Sequence, residues 1–491
     1  MAQPTSRRAH PGFVLAVACI AQFMVVLDVS VVNVALPTIS RDLHFTASGL
    51  QWVVNAYVLT FAGFLLLGGR AADLFGQKRV LITGLVIFTG ASLVCGFAQT
   101  DTWLTAARAV QGFGGAILSP ATLTILVTTF QGPKLAKAIG LWSAVAGAGG
   151  ATGALLGGIL VAELSWRWVF FINVPIGIAL CVMAALWLAE HRREGDKQPL
   201  DVAGAVLVTA GLSVAVYGIV NTTEYAWGSS RTIVTLLIAA VLLVAFAIVE
   251  TRIATAPLVP FGFFKSKTAS GANATMFLVG AAFFSMWYFL TLFMQDVLHY
   301  SALKTGFAFL PQSVAIIVGA QISSRVMTKV GVWPVVMAGT AFATVGFWFL
   351  GDLTTTSSYV DGIMLPGCLV AFALGLLFSP LAAAATSTVS PMEAGLASGI
   401  LSTSRQVGGS VGLAVLATIA TTHAVALLGH PLPPVTSPAY HVPPVPAYIT
   451  SGYDVAFRVS ALLTFGGMLT GLLLRGVHPV RQHAPSVAVA D

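Results

Sequence analysis

Apolar runs of roughly 20 residues recur from one end of this chain to the other, and nothing else in the sequence constrains its fold as strongly. A helix of that length crosses the hydrocarbon core of a bilayer. Inside hydrocarbon, backbone amides must bond within their own helix or within a closed barrel. Barrel strands would alternate polar and apolar with period two, and these runs do not, so helices are expected. Composition agrees, with 57% of the 491 residues hydrophobic and 8% charged, against about 25% charged in soluble domains. The expected fold class is an all-α polytopic membrane protein with no large soluble domain.

Fourteen spans are predicted, at 13–36, 49–69, 79–99, 103–128, 136–160, 167–189, 201–221, 232–250, 268–294, 305–327, 333–351, 361–384, 394–422 and 454–474. An even number places both termini on one side. Of the 24 Lys and Arg, Arg41, Arg167, Arg231, Lys304 and Arg458 fall opposite the termini, Arg108 and Arg405 lie deep in spans, and the rest share the side of the termini. The positive-inside bias therefore predicts a multi-pass protein of the cytoplasmic membrane with both termini in the cytoplasm. Arg7 and Arg8 precede the first apolar segment as in a signal peptide, but that segment is too long and has no small-x-small cleavage site, so a retained first span is expected. The formal charge of +7 is scattered over short loops, not gathered on a face that could bind nucleic acid. Cys19, Cys95, Cys181 and Cys368 all fall within spans without CxxC spacing and read as small core residues, not as disulfides or metal ligands.

Within the first span, the stretch VVLDVSVVNVALP from Val25 to Pro37 is apolar except for Asp28, Ser30 and Asn33. A carboxylate at a span centre costs roughly 2.5–3.5 kcal/mol on insertion scales, so Asp28 calls for a function or a partner. Every other acid is placed at a span end or in a loop, including Glu163, Glu224, Asp296, Asp352, Asp361 and Asp454. Asp28 is thus expected to carry protons, to read substrate charge, or to hold the bundle together through Arg108. Arg108, a permanent cation in the fourth span, is expected to share the proton-coupling role with Asp28. Arg405 is a second buried charge, in the other part of the chain.

The chain repeats itself. A shift of 259 residues carries Gly140, Ser143, Gly149, Gly150 and Gly153 onto Gly399, Ser402, Gly408, Gly409 and Gly412; a shift of 260 carries Gly115, Ser119 and Pro120 onto Gly375, Ser379 and Pro380. The division expected is an N-terminal six-helix half at 1–190, an inserted two-helix segment with cytoplasmic linkers at 191–260, and a C-terminal six-helix half at 261–491. Internally repeated helical bundles are a transporter architecture, with substrate held near the midplane where the halves meet. The Pro-rich loop 423–453 is expected to be irregular and external, and 190–201 to be a solvated linker.

Several motifs carry a resemblance. GRAADLFGQKRVL, from Gly69 to Leu81, joins the second and third spans with Gly69 and Gly76 at a tight turn, Asp73 at a helix end and Lys78 and Arg79 as anchors. LTAARAVQGFGGAILSP places Arg108, Gln111, Gly112, Gly114 and Gly115 in the fourth span; the fifth carries Gly140, Gly149, Gly153, Gly157 and Gly158, a smooth face for close helix packing. With LDVSVVNVALP, QWVVNAYVL, SWRWVFFINVPIG and STSRQVGGSVGLA in this order, the chain resembles the major facilitator superfamily, and within it the fourteen-span drug:proton antiporters. There are departures: Leu74 and Gln77 stand where basic residues are usual, Ala154 where proline is usual, and Ser30 where threonine is usual.

The resemblance implies two six-helix halves with an inserted helix pair and a cytoplasmic latch at Gly69, Asp73, Gly76, Lys78 and Arg79. It also implies proton-coupled export of hydrophobic, often cationic drugs or antibiotics by alternating access. Protons, small amphipathic substrates and membrane lipid are the partners expected of a monomer that uses a proton gradient and no cofactor. Asn33, Tyr57, Gln111, Trp287 and Tyr288, with Phe283 and Phe284, are candidates to line an apolar and aromatic cavity. No HExxH, nucleophile elbow or phosphate loop occurs, so neither an enzyme nor a metal site is expected. Export of another small solute, such as a metabolite, lipid or sugar, would use the same scaffold, and a non-transporting membrane sensor is a further alternative.

Overall fold

The structure is a computed structural model and describes residues 11–190, 199–389 and 393–476. All regular structure among them is helical. The first part runs α1 Pro11–Asp42, α2 Trp52–Phe75, α3 Gln77–Gly96, α4 Asp101–Thr129, α5 Gly132–Glu163, the single turn α6 Trp168–Phe171 and α7 Asn173–Trp187. Then come α8 Val202–Val220 and α9 Ser230–Ile248, followed by α10 Lys267–Leu292, α11 Ala302–Ala308, α12 Leu310–Val330, α13 Val332–Leu350, α14 Leu365–Thr386, α15 Ala394–Leu428 and α16 Val445–Gly471. Thirteen stretches among the described residues are long and apolar enough to cross a bilayer; α5, whose apolar part is Ala148–Glu163, occupies the remaining predicted position. Several starts are set by caps visible in the sequence: Thr100, Asp201, Ser266 and Ser301 each accept a hydrogen bond from a first-turn amide of the helix that follows.

The repeat seen in the sequence reappears in the packing. Helix α4 lies against α2 and α3, as α14 lies against α12 and α13; α1 packs on α5 as α10 packs on α15. The shared small residues explain it. Gly153 faces Ser30 and the Leu27 carbonyl of α1, and its counterpart Gly412 faces Ala281 of α10; a side chain at either would push the helices apart. Helices α8 and α9 pair with one another, and α8 leans on α2 and α15. Only 11% of the apolar window of α9 is buried, as suits a helix that faces lipid.

The end of the bundle with the start of α1 and the α2–α3 turn is here called proximal, and the end where α1 stops distal. At the distal end the two parts meet closely. Gly158 of α5 faces Ala302 and Leu303, Gly306 of α11 faces the Ala154 carbonyl, and Gln295 Nε2 donates to the Val34 carbonyl at 2.8 Å. Toward the proximal end they separate around a cavity of about 1660 Å³.

Two regions differ from expectation. Within 423–453, α15 continues to Leu428, a short turn forms at Pro438–His441, and α16 already begins at Val445. Val435 and Tyr440 are buried there, so apolar side chains order a loop whose prolines suggested irregular chain. Residues 191–198 of the expected linker lie outside the described residues.

Candidate functional site

Asp28 sits halfway along α1 with its side chain wholly enclosed. Arg108 Nη1 of α4 donates to Asp28 Oδ2 at 2.6 Å, while Gln111 Nε2, one helical turn on from Arg108, and Asn173 Nδ2 donate to Oδ1 at 2.7 and 2.9 Å. These donors suit an ionised carboxylate, which only accepts. The remaining capacity of Arg108 is used too: Nη1 also meets Gln111 Oε1 at 2.8 Å and Nε donates to the Val53 carbonyl at 3.1 Å. Its guanidinium lies 4.3 Å from the centre of the Tyr57 ring. A charge pair this deep is tolerable because its members are hydrogen-bonded to one another and to further partners.

Tyr57 joins this cluster to the cavity, since it stacks under Arg108 and also lines the cavity wall. Asn33, Trp287, Phe283 and Phe284 line the cavity as well. Asp28, Arg108 and Gln111 do not; they lie behind that wall, and Tyr288 faces a different, distal pocket. The charged side chains among the described lining residues are Arg70 and Asp73 near the proximal end and Arg405 deeper in. Among the described residues no group of three or more His, Cys, Asp or Glu could hold a metal ion, and the four cysteines are free.

At the α2–α3 turn, Gly76 has φ 98°, a conformation that disfavours side chains. Around it Arg70 Nη1 donates to the Ala256 carbonyl at 2.7 Å, Lys78 Nζ to the Ala185 carbonyl at 2.7 Å, and Arg79 pairs with Glu190 at 3.5 Å. Gly69 and Asp73 face the cavity from the same helix end. Gly331 repeats the geometry between α12 and α13 with φ 89°. In α5, Gly149, Gly153 and Gly157 face α1, Gly158 faces the residues of α11, and Gly140 has open space beside it.

The model of the Major Facilitator Superfamily matches residues 18–413. The chain belongs to that superfamily. Among its relatives, the cephamycin export protein CmcT of Amycolatopsis lactamdurans is 44% identical over 418 residues, covering 84% of this chain and 86% of that one. The puromycin resistance protein pur8 of Streptomyces alboniger is 37% identical over 455 residues, 91% of this chain and 88% of that one. The tetracenomycin C resistance and export protein of Streptomyces glaucescens is 33% identical over 413 residues, 83% and 76% of the two chains. A bacterial homolog of the human lysosomal transporter Spinster, solved in an inward-facing and unoccupied conformation, superposes with a TM-score of 0.67 at 15% identity, over 94% of this chain and 97% of that one.

In this major facilitator transporter, two groups of site residues escaped the sequence reading. Asn173 bonds Asp28 directly and also donates to Ser92 Oγ at 3.1 Å, so α3 and α7 belong to the carboxylate's surroundings. Its signal was a lone amide in an otherwise apolar stretch. The second is Asp296. Expected at a span end or in a loop, it is 6% exposed and borders a distal pocket of about 40 Å³ with Ser40, Tyr288, Tyr440 and Tyr453. The end of a span is not solvent when the turn at Pro438–His441 folds over it. Glu250 is likewise buried, accepting from the Leu258 and Val259 amides at 3.2 and 3.1 Å.

Proposed function

We propose that this transporter exports amphipathic antibiotics or drugs from the cytoplasm in exchange for protons. It would work as a monomer in the cytoplasmic membrane with both termini inside and with no cofactor. The cavity would then open toward the cytoplasm, and the closed distal end would face outward. Relatives named for cephamycin export, tetracenomycin C export and puromycin resistance support an antibiotic as cargo. The cavity, larger than the roughly 300–1,000 Å³ of common small-molecule sites, supports a bulky one.

The observation that carries the proton-coupled reading is the link from Asp28 through Arg108 to Tyr57 in the cavity wall. A proton on Asp28 Oδ2 removes the charge that holds Arg108 and turns its acceptor oxygen into a donor, so Arg108 must find another partner. The Tyr57 ring beneath the guanidinium then shifts, and substrate contacts change with it. A proton entering from outside and substrate leaving to the outside are thereby exclusive states of one network. In everted vesicles with the proton gradient imposed and then collapsed, accumulation of a fluorescent dye in the lumen should follow the gradient. Asp28→Asn should reduce it to background at normal insertion. Gradient-driven efflux at the unmutated rate in that variant would overturn the assignment.

A further inference from the structure

Among its described lining residues the central cavity holds one deep formal charge, and it is positive. Near the proximal end Arg70 and Asp73 are of opposite sign, while the deep wall holds Arg405 and no carboxylate among its described lining residues. Asp28 cannot serve a bound molecule from where it sits, with its side chain wholly enclosed behind the wall and facing Arg108, Gln111 and Asn173.

Arg405 is the opposite of Arg108. Arg108 has a carboxylate, an amide oxygen and a backbone carbonyl as acceptors. Arg405 has no ion pair or hydrogen-bond acceptor among the described residues: its Nε is buried and unpartnered, and its guanidinium lies 5.1 Å from the centre of the Phe378 ring. The placement is built in. Gly280 of α10 lets the Arg405 backbone come close, and Ser404 beside it donates to Asn273 Oδ1 at 2.9 Å, so α15 is held with residue 405 facing the cavity. Ser398, Ser402 and Gln406 share that cavity-facing side of α15. Beside it on α10, which packs against α15, Phe283, Phe284 and Trp287 line the same cavity. A permanent cation in such a place, with unused donors in a planar fork, is complementary to a planar oxyanion that accepts two parallel hydrogen bonds.

We infer that Arg405 is the anchor of an anion subsite, and that the molecules this transporter carries are amphipathic carboxylates whose apolar part lies against the aromatic wall of α10. This reverses the charge expected from the resemblance, which favoured cations. It rests on the export reading only for the direction of movement; occupancy of the subsite is a matter of binding.

The test uses the full chain in nanodiscs of neutral lipid and three probes of one shape: 1-pyrenebutyrate, the neutral 1-pyrenebutyramide and a pyrenebutyl-trimethylammonium cation. Binding is read by energy transfer from tryptophan to pyrene. The carboxylate should bind about ten- to a hundredfold more tightly than the amide, as expected when a charge-assisted pair forms away from water. Arg405→Gln should remove that preference, and Arg405→Lys, which keeps the charge and guards against misfolding of the first variant, should retain part of it. Equal binding of carboxylate and amide, or a preference that survives Arg405→Gln, overturns the inference. A preference that vanishes when anionic phospholipid is added assigns the subsite to a lipid headgroup and overturns the carried-anion reading. Binding as expected but without gradient-driven efflux of pyrenebutyrate from vesicles would leave the subsite standing and sink the export reading instead.

Discussion

Tyr57 is where the buried charge cluster reaches the cavity, and its two ends do different things. The ring supports the Arg108 guanidinium, whereas the hydroxyl is buried with no partner. Tyr57→Phe removes only the unpartnered group, so thermal unfolding of the solubilised protein should be unchanged or shifted up by an amount worth at most about 1 kcal/mol. Tyr57→Ala removes the stack as well and should cost about 3 kcal/mol and most of the efflux. Similar unfolding temperatures for the two variants would show that the ring supports nothing. Arg108→Lys keeps the charge but cannot meet Asp28, Gln111 and the Val53 carbonyl at once, so efflux should fall at least about tenfold at matched expression. Much of this cluster was readable as sequence, because Asp28, Arg108 and Gln111 stand out in apolar spans. Asn173 did not, since a single amide in a span more often bonds its own helix, as Asn33 does with the Val29 carbonyl.

At the scale of helices, α5 works on two faces. Gly153 and Gly157 hold it against α1, while Gly158 meets α11. A Cβ at Gly158 would stand 2.7 Å from the Ala302 carbonyl and 3.0 Å from Leu303 Cα, both backbone atoms that cannot rotate aside. Gly158→Val should therefore hold the distal end open. Spin labels at the exposed positions Leu164 and Phe307 should show longer separations, and efflux should be lost with insertion intact. An unchanged distance distribution would mean that α5 and α11 do not form the closure. The small-residue spacing of α5 was plain in the sequence, but not which face met which partner. Ala154, where a proline is usual, faces Gly306 of α11 through its carbonyl.

For the whole molecule, the arrangement is a closed distal end and a cavity that widens toward the proximal end. Among the described residues, Gln295 makes a polar contact to α1 at the distal end. Gln295→Ala removes the bond to the Val34 carbonyl and should shift the populations toward the distally open state by about 0.5–1.5 kcal/mol, roughly a factor of two to twelve. The same pair of spin labels would read that shift as a growing long-distance fraction, and no growth would rule out this contact as a brace. At the proximal end the bond from Arg70 to the Ala256 carbonyl ties α2 to the segment that follows α9. Arg70→Ala should lower the maximal efflux rate while leaving probe binding near its original strength; weakened binding with an unchanged rate would move Arg70 from gating to the substrate site.

Hydrophobic run length, the position of rare charges and the spacing of small residues are local properties, and in a bilayer they determine a great deal. From them alone came the helical class, the span positions and the internal repeat. The same local properties singled out Asp28, Arg108 and Arg405 among hundreds of apolar residues. The partners of those charges, and which of them touch the cavity, depend on contacts between residues far apart in the chain, and only the tertiary structure decided them. Asp28 and Arg108 are 80 residues apart and bonded, Asp296 is enclosed by a loop more than a hundred residues further on, and Arg405 is left facing the cavity with its donors unmet. In the sequence these were all costly charges; packing satisfied some of them behind the wall and left one for whatever the cavity holds.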